Sequence, residues 1–366
     1  MLWLVTAAYL AMRALLSWGL TRPTPRSQAQ PRVAVVVAAH NAAATLPVLL
    51  EELTQQRYPD YEVIVVDDRS SDATPAVLEM WTRRCARLTA LRVERLPAGV
   101  TPKMHALARG IERADGELLL LTDADCRVSR DWIAAMASYF TPGVGVVIGY
   151  AALQPRRGRL LEQLQALDYL HMMALTAGAT RLGYPLGAGG ANLAYRRASY
   201  LSAGGFDGLP RGAVADDMLM LQQILERTTC RAAFCDDPRA RVTTPAEPTL
   251  QRLLAQRARW MTGGAEVLWR NPPLLALSSL IGLSNGLLLC APLLWRRPAL
   301  RRATATLLGG RVLADALHLA IAARHFGALR LLPFLPVWLI AQALATAVLP
   351  LYSRLSGWRW GGRRRP

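Results

Sequence analysis

Asp123 and Asp125 stand one residue apart at the end of the apolar run Glu117-Leu118-Leu119-Leu120-Leu121-Thr122. Side chains at i and i+2 of an extended segment point the same way. At the C-terminal end of a strand, two such carboxylates can grip one hard cation against a phosphate-bearing ligand. Mg²⁺ is commonly shared in this way between one or two carboxylates and substrate phosphates. Alone, the pattern also describes a strand followed by a solvated acidic turn.

Other residues suited to the same chemistry recur along the chain. Asp67-Asp68 close a second β-forming run. Lys103 is the one lysine among forty-three basic residues. A compact ammonium meets a phosphate or nucleobase differently from a planar guanidinium; the alternative is a bias toward arginine with one survivor. Gly187-Ala188-Gly189-Gly190-Ala191-Asn192 lets backbone come close to a ligand, or is a flexible loop. Asp216-Asp217 open a helix with an apolar face, where acids also simply suit the helix dipole. Gln256, Arg259 and Trp260 share one helical face at i, i+3 and i+4. That face suits a diphosphate or a sugar ring, or else a membrane surface. No Ser-His-Asp or Cys-His pattern competes.

The intervening segments position these groups. Val33–Ala38, Glu62–Val66, Leu91–Glu94 and Glu117–Thr122 read as strands, with helical spacing over Ala43–Gln56 and Pro102–Ala114. Strands alternating with helices predict βαβ units and a mostly parallel sheet, an α/β fold. Ligands in such sheets bind beyond the C-terminal strand ends, near a topological switch point. The acidic pairs fall at those ends.

The 366 residues are 52% hydrophobic and carry a net charge of +17. Residues 1–20 are long and apolar enough to anchor the chain in a bilayer, with Arg13 the one interruption. Residues 21–32 form a Pro/Arg/Gln-rich linker, residues 33–270 one large domain and residues 271–355 a membrane region with apolar blocks at Leu274–Trp295, Ala303–Ala323 and Leu331–Tyr352. A basic tail, 356–366, follows. From residue 271 onward, twelve arginines against a single acid, Asp315, hold eleven of the seventeen charges. They sit at the edges of apolar blocks, as basic residues meeting anionic lipid do, which argues against nucleic acid. The five cysteines lack C-x-x-C spacing and read as free thiols. Three full spans after the domain would leave Arg296–Arg302 and the C-terminus on the outer side. A first block that breaks near Ser284-Asn285-Gly286 and re-enters would keep both inside.

Taken in order, these pieces resemble glycosyltransferase family 2, the inverting, nucleotide-sugar-dependent enzymes, and most of all the membrane-anchored branch related to cellulose, chitin and poly-N-acetylglucosamine synthases. The matching text is VAVVVAAHNA (33–42), QQRYPDYEVIVVDDRSSDAT (55–74), KMHALARGIERADGELLLLTDADC (103–126), GAGGANLAYRRASYLSAGGFD (187–207), ADDMLMLQQI (215–224) and QRARW (256–260). The resemblance implies a GT-A-type nucleotide-sugar-binding domain. In it His40, Asn41 and Asp68 would hold base and ribose, and Lys103 and Asp123 the nucleotide sugar. Asp125, with Asp123, would ligate Mg²⁺ or Mn²⁺. Asp217, with Asp216 beside it, would deprotonate the acceptor hydroxyl. Gly190, Asn192, Gln256, Arg259 and Trp260 would shape the acceptor and diphosphate sites. Ala42 and Ala43 depart from the acid often found after the Asn, and Asp216 replaces the usual Glu.

The expectation is a multi-pass enzyme of the inner cell membrane, moving a sugar from a nucleotide sugar, UDP-linked by preference, to a lipid or glycan acceptor. A catalytically inert nucleotide-sugar-binding or scaffold relative is the alternative. A nucleotidyltransferase on the same sheet would lack the Asp-Asp helix and the Gln-Arg-Trp segment.

Overall fold

A computed structural model of the chain describes residues 2–210 and 212–356, together with two short strand segments, Arg359–Trp360 and Arg363–Arg364. The basic tail therefore lies largely outside the described residues. The chain opens with α1 (Leu2–Thr21) and then alternates: β1 (Val33–Ala39), α2 (Leu46–Thr54), β2 (Tyr61–Asp68), α3 (Thr74–Arg84), β3 (Leu88–Val93), α4 (Pro102–Arg113) and β4 (Leu118–Asp123). Next come α5 (Trp132–Ala137), β5 (Val144–Gly149), β6 (Ala151–Gln154), α6 (Leu160–Arg181), β7 (Leu193–Arg196), α7 (Arg197–Ser202) and α8 (Asp216–Arg227). The chain continues through β8 (Arg231–Cys235), β9 (Val242–Pro245), α9 (Leu250–Leu268), α10 (Pro272–Trp295), α11 (Arg301–His325) and α12 (Leu335–Ser356).

Two compact units divide the chain. The first to be described comprises Pro23–Leu153 and Gly187–Pro245. Its seven-stranded sheet has the order β3-β2-β1-β4-β7-β5-β8. β7 alone runs antiparallel to its neighbours; the other pairings are parallel. The central strands are apolar on both faces, as a sheet covered by helices requires, and Val33–Val37 and Leu118–Leu120 are fully buried. The chain leaves β1 toward β2 and β3 on one side and returns to β4 on the other, so β1 and β4 flank the switch point. Ala38 is level with Val66 on β2 and with Asp123 on β4. One C-terminal edge thus carries His40, Asp68 and the Asp123–Asp125 turn. The start of this unit is pinned down: Arg26 pairs with Asp237 at 2.9 Å, and Tyr58 donates to the Pro31 carbonyl at 2.6 Å.

The other unit comprises Met1–Arg22, Gln154–Leu186 and Ala246–Pro366. The unit boundary falls inside 33–270, so α6 and α9 group with the long apolar helices. Among the described residues, four stretches here are long and apolar enough to cross a membrane: Leu2–Thr21, Pro272–Trp295, Pro298–His325 and Leu329–Arg354. Arg13 is no blemish in this setting. It is buried, ion-paired to Asp315 of α11 at 2.8 Å, and donates through Nε to Tyr9 Oη at 3.0 Å. Tyr9 in turn donates to Asp315 at 2.6 Å, and Arg311 meets the other Asp315 oxygen at 3.4 Å. A buried charge without such partners costs several kcal/mol (order of magnitude).

α10 is a continuous helix through Ser284-Asn285-Gly286. These polar residues serve packing between helices: Ser284 Oγ accepts from Arg311 at 2.7 Å, and Asn285 Nδ2 donates to Thr346 at 2.6 Å.

Candidate active site

Lys103 sits in the first turn of α4, where a cation opposes the helix dipole. Carboxylates hold it there: its ammonium hydrogen-bonds Asp123 at the tip of β4, and Asp216 and Asp217 act on it electrostatically. Burial alone would pull the ammonium down, yet these three acids lift it above the usual lysine range.

Asp217 is fixed at both ends of its carboxylate. Oδ2 accepts from the backbone N–H of Gly190 at 2.8 Å, and Oδ1 from that of Met218 at 2.8 Å. A Cβ on Gly190 would lie 3.0 Å from Lys103 Nζ and 3.6 Å from Asp217 Oδ2. The missing side chain is what lets ammonium and carboxylate crowd this backbone. Thr122 Oγ1 donates to the Ala191 carbonyl at 2.9 Å, tying the glycine-rich segment to the end of β4. Burial raises Asp216 to about 6, and Asp217 moves in the same direction for the same reason, with Lys103 opposing both.

Asp123 and Asp125 present ligand atoms within 4.8 Å of each other and of the Cys126 sulfur. Asp125 is exposed and Asp123 half-buried. Burial pushes the Cys126 thiol up to about 12, which leaves two hard oxygen donors and a neutral thiol. That set fits Mg²⁺ or Mn²⁺ rather than a soft, thiolate-bound ion.

At the outer end of the same edge, the loops after β1 and β2 are laced together. Asn41, at φ +50, accepts through Oδ1 from Ser71 N–H at 2.9 Å, while its own N–H donates to Ser70 Oγ at 2.9 Å. Ala42 and Ala43 N–H groups donate to Thr74 Oγ1 (2.9 Å) and Asp72 Oδ2 (3.1 Å). Asp72 thus brings an acid from the neighbouring loop against the backbone of Ala43. His40 Nδ1–H donates to the Asp68 carbonyl at 2.7 Å.

Four further sequence-derived candidates are Asn192, Gln256, Arg259 and Trp260. Asn192 is fully buried. Its amide donates to the carbonyls of Tyr150 (3.0 Å) and Ala240 (2.8 Å) and accepts from Trp132 Nε1 at 3.0 Å. A Cβ on Gly149 would fall 2.3 Å from this amide, so that glycine makes its room. Asn192 therefore shapes the glycine-rich segment from behind. Gln256, Arg259 and Trp260 lie on α9, in the unit of long helices. There Gln256 donates to Glu247 at 3.2 Å, and Arg257 both pairs with Asp168 at 2.8 Å and stacks over the Trp260 ring at 4.5 Å.

Residues that sequence reading passed over include Arg69, folded back on Asp68, and Tyr195. The Tyr195 hydroxyl is fully buried with no hydrogen-bond partner among the described residues. Burial, then the charges of Asp217 and Asp216, hold it far above the usual tyrosine range. Alternation along β7 could have flagged Tyr195 as inward-facing, but nothing local marks it as a neighbour of α8.

Residues 31–263 match the family model described as "Glycosyltransferase like family 2". The chain belongs to that family. It is 24% identical over 243 residues to the poly-beta-1,6-N-acetyl-D-glucosamine synthase of Staphylococcus epidermidis, covering 65% of this chain and 56% of that one. It is 32% identical over 130 residues to the beta-monoglucosyldiacylglycerol synthase of Synechocystis, covering 35% and 26%. The chain thus spans from about a quarter to about half the length of these curated relatives. Among solved structures it is similar to the mannosyltransferase of Pyrobaculum calidifontis in complex with GDP-Man and Mn²⁺, with a TM-score of 0.61, 21% identity and coverage of 97% and 98%. At that identity the likeness shows the fold, a GT-A-like sheet domain with long apolar helices at both ends of the chain.

Proposed function

We propose that this chain is a membrane-bound, inverting glycosyltransferase that moves a sugar from a nucleotide sugar to a hydroxyl of a lipid or glycan acceptor. One observation carries the reading. Lys103, Asp123, Gly190 and Asp217, scattered over more than a hundred residues, meet around one ammonium at a parallel-sheet switch point.

Asp68, with His40 and the laced loops behind it, holds the nucleoside end of the donor. Asp125 and Asp123 would hold Mg²⁺ or Mn²⁺, which supplies charge neutralisation for the leaving diphosphate. Lys103 adds a fixed positive charge on the donor side and keeps Asp123 oriented. Asp217 takes the proton from the acceptor hydroxyl as it attacks the sugar. Its two backbone hydrogen bonds set its direction in advance, and its raised affinity for protons suits a base working near neutrality. Asp216 is the reserve candidate for this role, since it shares the same environment. The four long apolar helices and the lipid product in the name of the Synechocystis relative support a membrane-resident acceptor. Nucleotide sugars are cytosolic, which places the catalytic side in the cytoplasm.

The test is a screen of the purified full-length protein, with Mn²⁺, for hydrolysis or transfer across UDP-, GDP- and dTDP-sugars. One donor class should turn over, and Asp125→Ala should abolish that turnover. Absence of turnover with every donor, or equal turnover in the variant, would overturn the reading.

A further inference from the structure

One face of α6 carries Gln165, Asp168, Tyr169 and Met172, spaced three and four residues apart as neighbours on a helix are. Directly or through one neighbour, all four reach the segment Gln256–Trp260 of α9. Asp168 Oδ2 pairs with Arg257 Nη2 at 2.8 Å, and Arg257 Nη1 lies 3.3 Å from Met172 Sδ. The same guanidinium lies over the Trp260 ring, 4.5 Å from its centroid, and the Tyr169 ring stands 6.1 Å from Trp260. Gln165 exchanges two hydrogen bonds with the backbone of Glu247, at 2.9 and 3.0 Å. The Glu247 carboxylate in turn accepts from Gln256 at 3.2 Å.

Asp168 is the fixed point of this arrangement. Its other oxygen, Oδ1, accepts from Trp338 Nε1 of α12 at 3.1 Å, so both carboxylate oxygens are committed and the direction of the group is set. A guanidinium hydrogen-bonds in its own plane and stacks through its flat face. The carboxylate that fixes the plane of Arg257 therefore also fixes what the Trp260 ring packs against. Neither Asp168 nor Arg257 belongs to the face that Gln256, Arg259 and Trp260 share.

We propose that Asp168 is a positioning residue for the reaction. Acting through Arg257, it sets the direction of the Trp260 ring and of the face that ring shares with Gln256 and Arg259. Through Trp338 it ties that face to α12, a helix long and apolar enough to cross a membrane. This rests on the reading of the α9 face as an acceptor and diphosphate surface.

The experiment compares the full-length protein with Asp168→Asn, Arg257→Gln and the double variant, using the donor found in the screen with Mn²⁺. Asp168→Asn keeps the size of the side chain and an oxygen for Trp338, and removes the charge that Arg257 answers. Each single variant should lower kcat/KM about tenfold or more, the scale on which misplaced groups cost rate. The double variant should lose no more than about twofold beyond either, because both changes break one link. Amide hydrogen exchange in α9 should rise in Asp168→Asn, with or without a donor present. Turnover per folded molecule that stays at the wild-type level, while exchange or thermal unfolding changes, marks a merely structural pair and overturns the proposal. Losses that multiply in the double variant overturn it too, as does unchanged exchange in α9. Trp260→Ala at the wild-type rate would instead sink the reading of the α9 face. A wild type that turns over no donor sinks the glycosyl-transfer reading, and exchange in α9 then decides alone whether Asp168 holds the segment.

Discussion

The protonation of the Asp216–Asp217 pair sets a direction for pH dependence. Both carboxylates are raised by burial, Asp216 to about 6, and a base accepts a proton only when ionised. Turnover should therefore show an acid limb displaced above the usual carboxylate range and fall away below it, read in kcat/KM. Lys103 pulls both groups down, so Lys103→Met should move that limb to higher pH. A limb that stays in place would show that the ammonium does not act on the base. At this scale Lys103 was legible because it is the sole lysine, and the acids because they close apolar runs. Arg69 was not: among forty-two arginines, only its backbone conformation and its bond to Asp68 distinguish it.

Glycine and asparagine in the segment before β7 separate two kinds of dependence. In Gly190→Ala the new methyl meets the far end of a flexible lysine at 3.0 Å. The fold should survive, with thermal unfolding nearly unchanged, while turnover drops about tenfold or more as Lys103 and Asp217 are pushed out of place. Asn192→Ala strips hydrogen bonds from Trp132, Tyr150 and Ala240 inside the protein. It should cost about 2–4 kcal/mol in chemical denaturation, summed over several buried orphans. If Asn192→Ala unfolds like the wild type, the amide is not the strut described here. The strands of the first half were readable to within a few residues because apolar runs and turn residues alternate. The place of Asn192 was not, since a glycine-rich stretch ending in Asn spells a ligand loop and a buried strut alike.

Across the whole molecule, the sequence announced four apolar stretches but not what joins them. Arg13 and Asp315 lie 302 positions apart, and only tertiary structure pairs them. Asp315→Ala leaves Arg13 and Arg311 without their buried counter-charge and should destabilise the protein by ~3–5 kcal/mol. The double variant Arg13→Leu/Asp315→Leu should recover part of that loss. The central claim is that distant acids act as one site with separate duties, and Asp217→Asn tests it most directly. With the donor found in the screen and saturating Mn²⁺, kcat should fall about 10²-fold or more, while affinity for the matching nucleoside diphosphate stays within about twofold of wild type. Turnover at the wild-type rate in that variant would contradict the account.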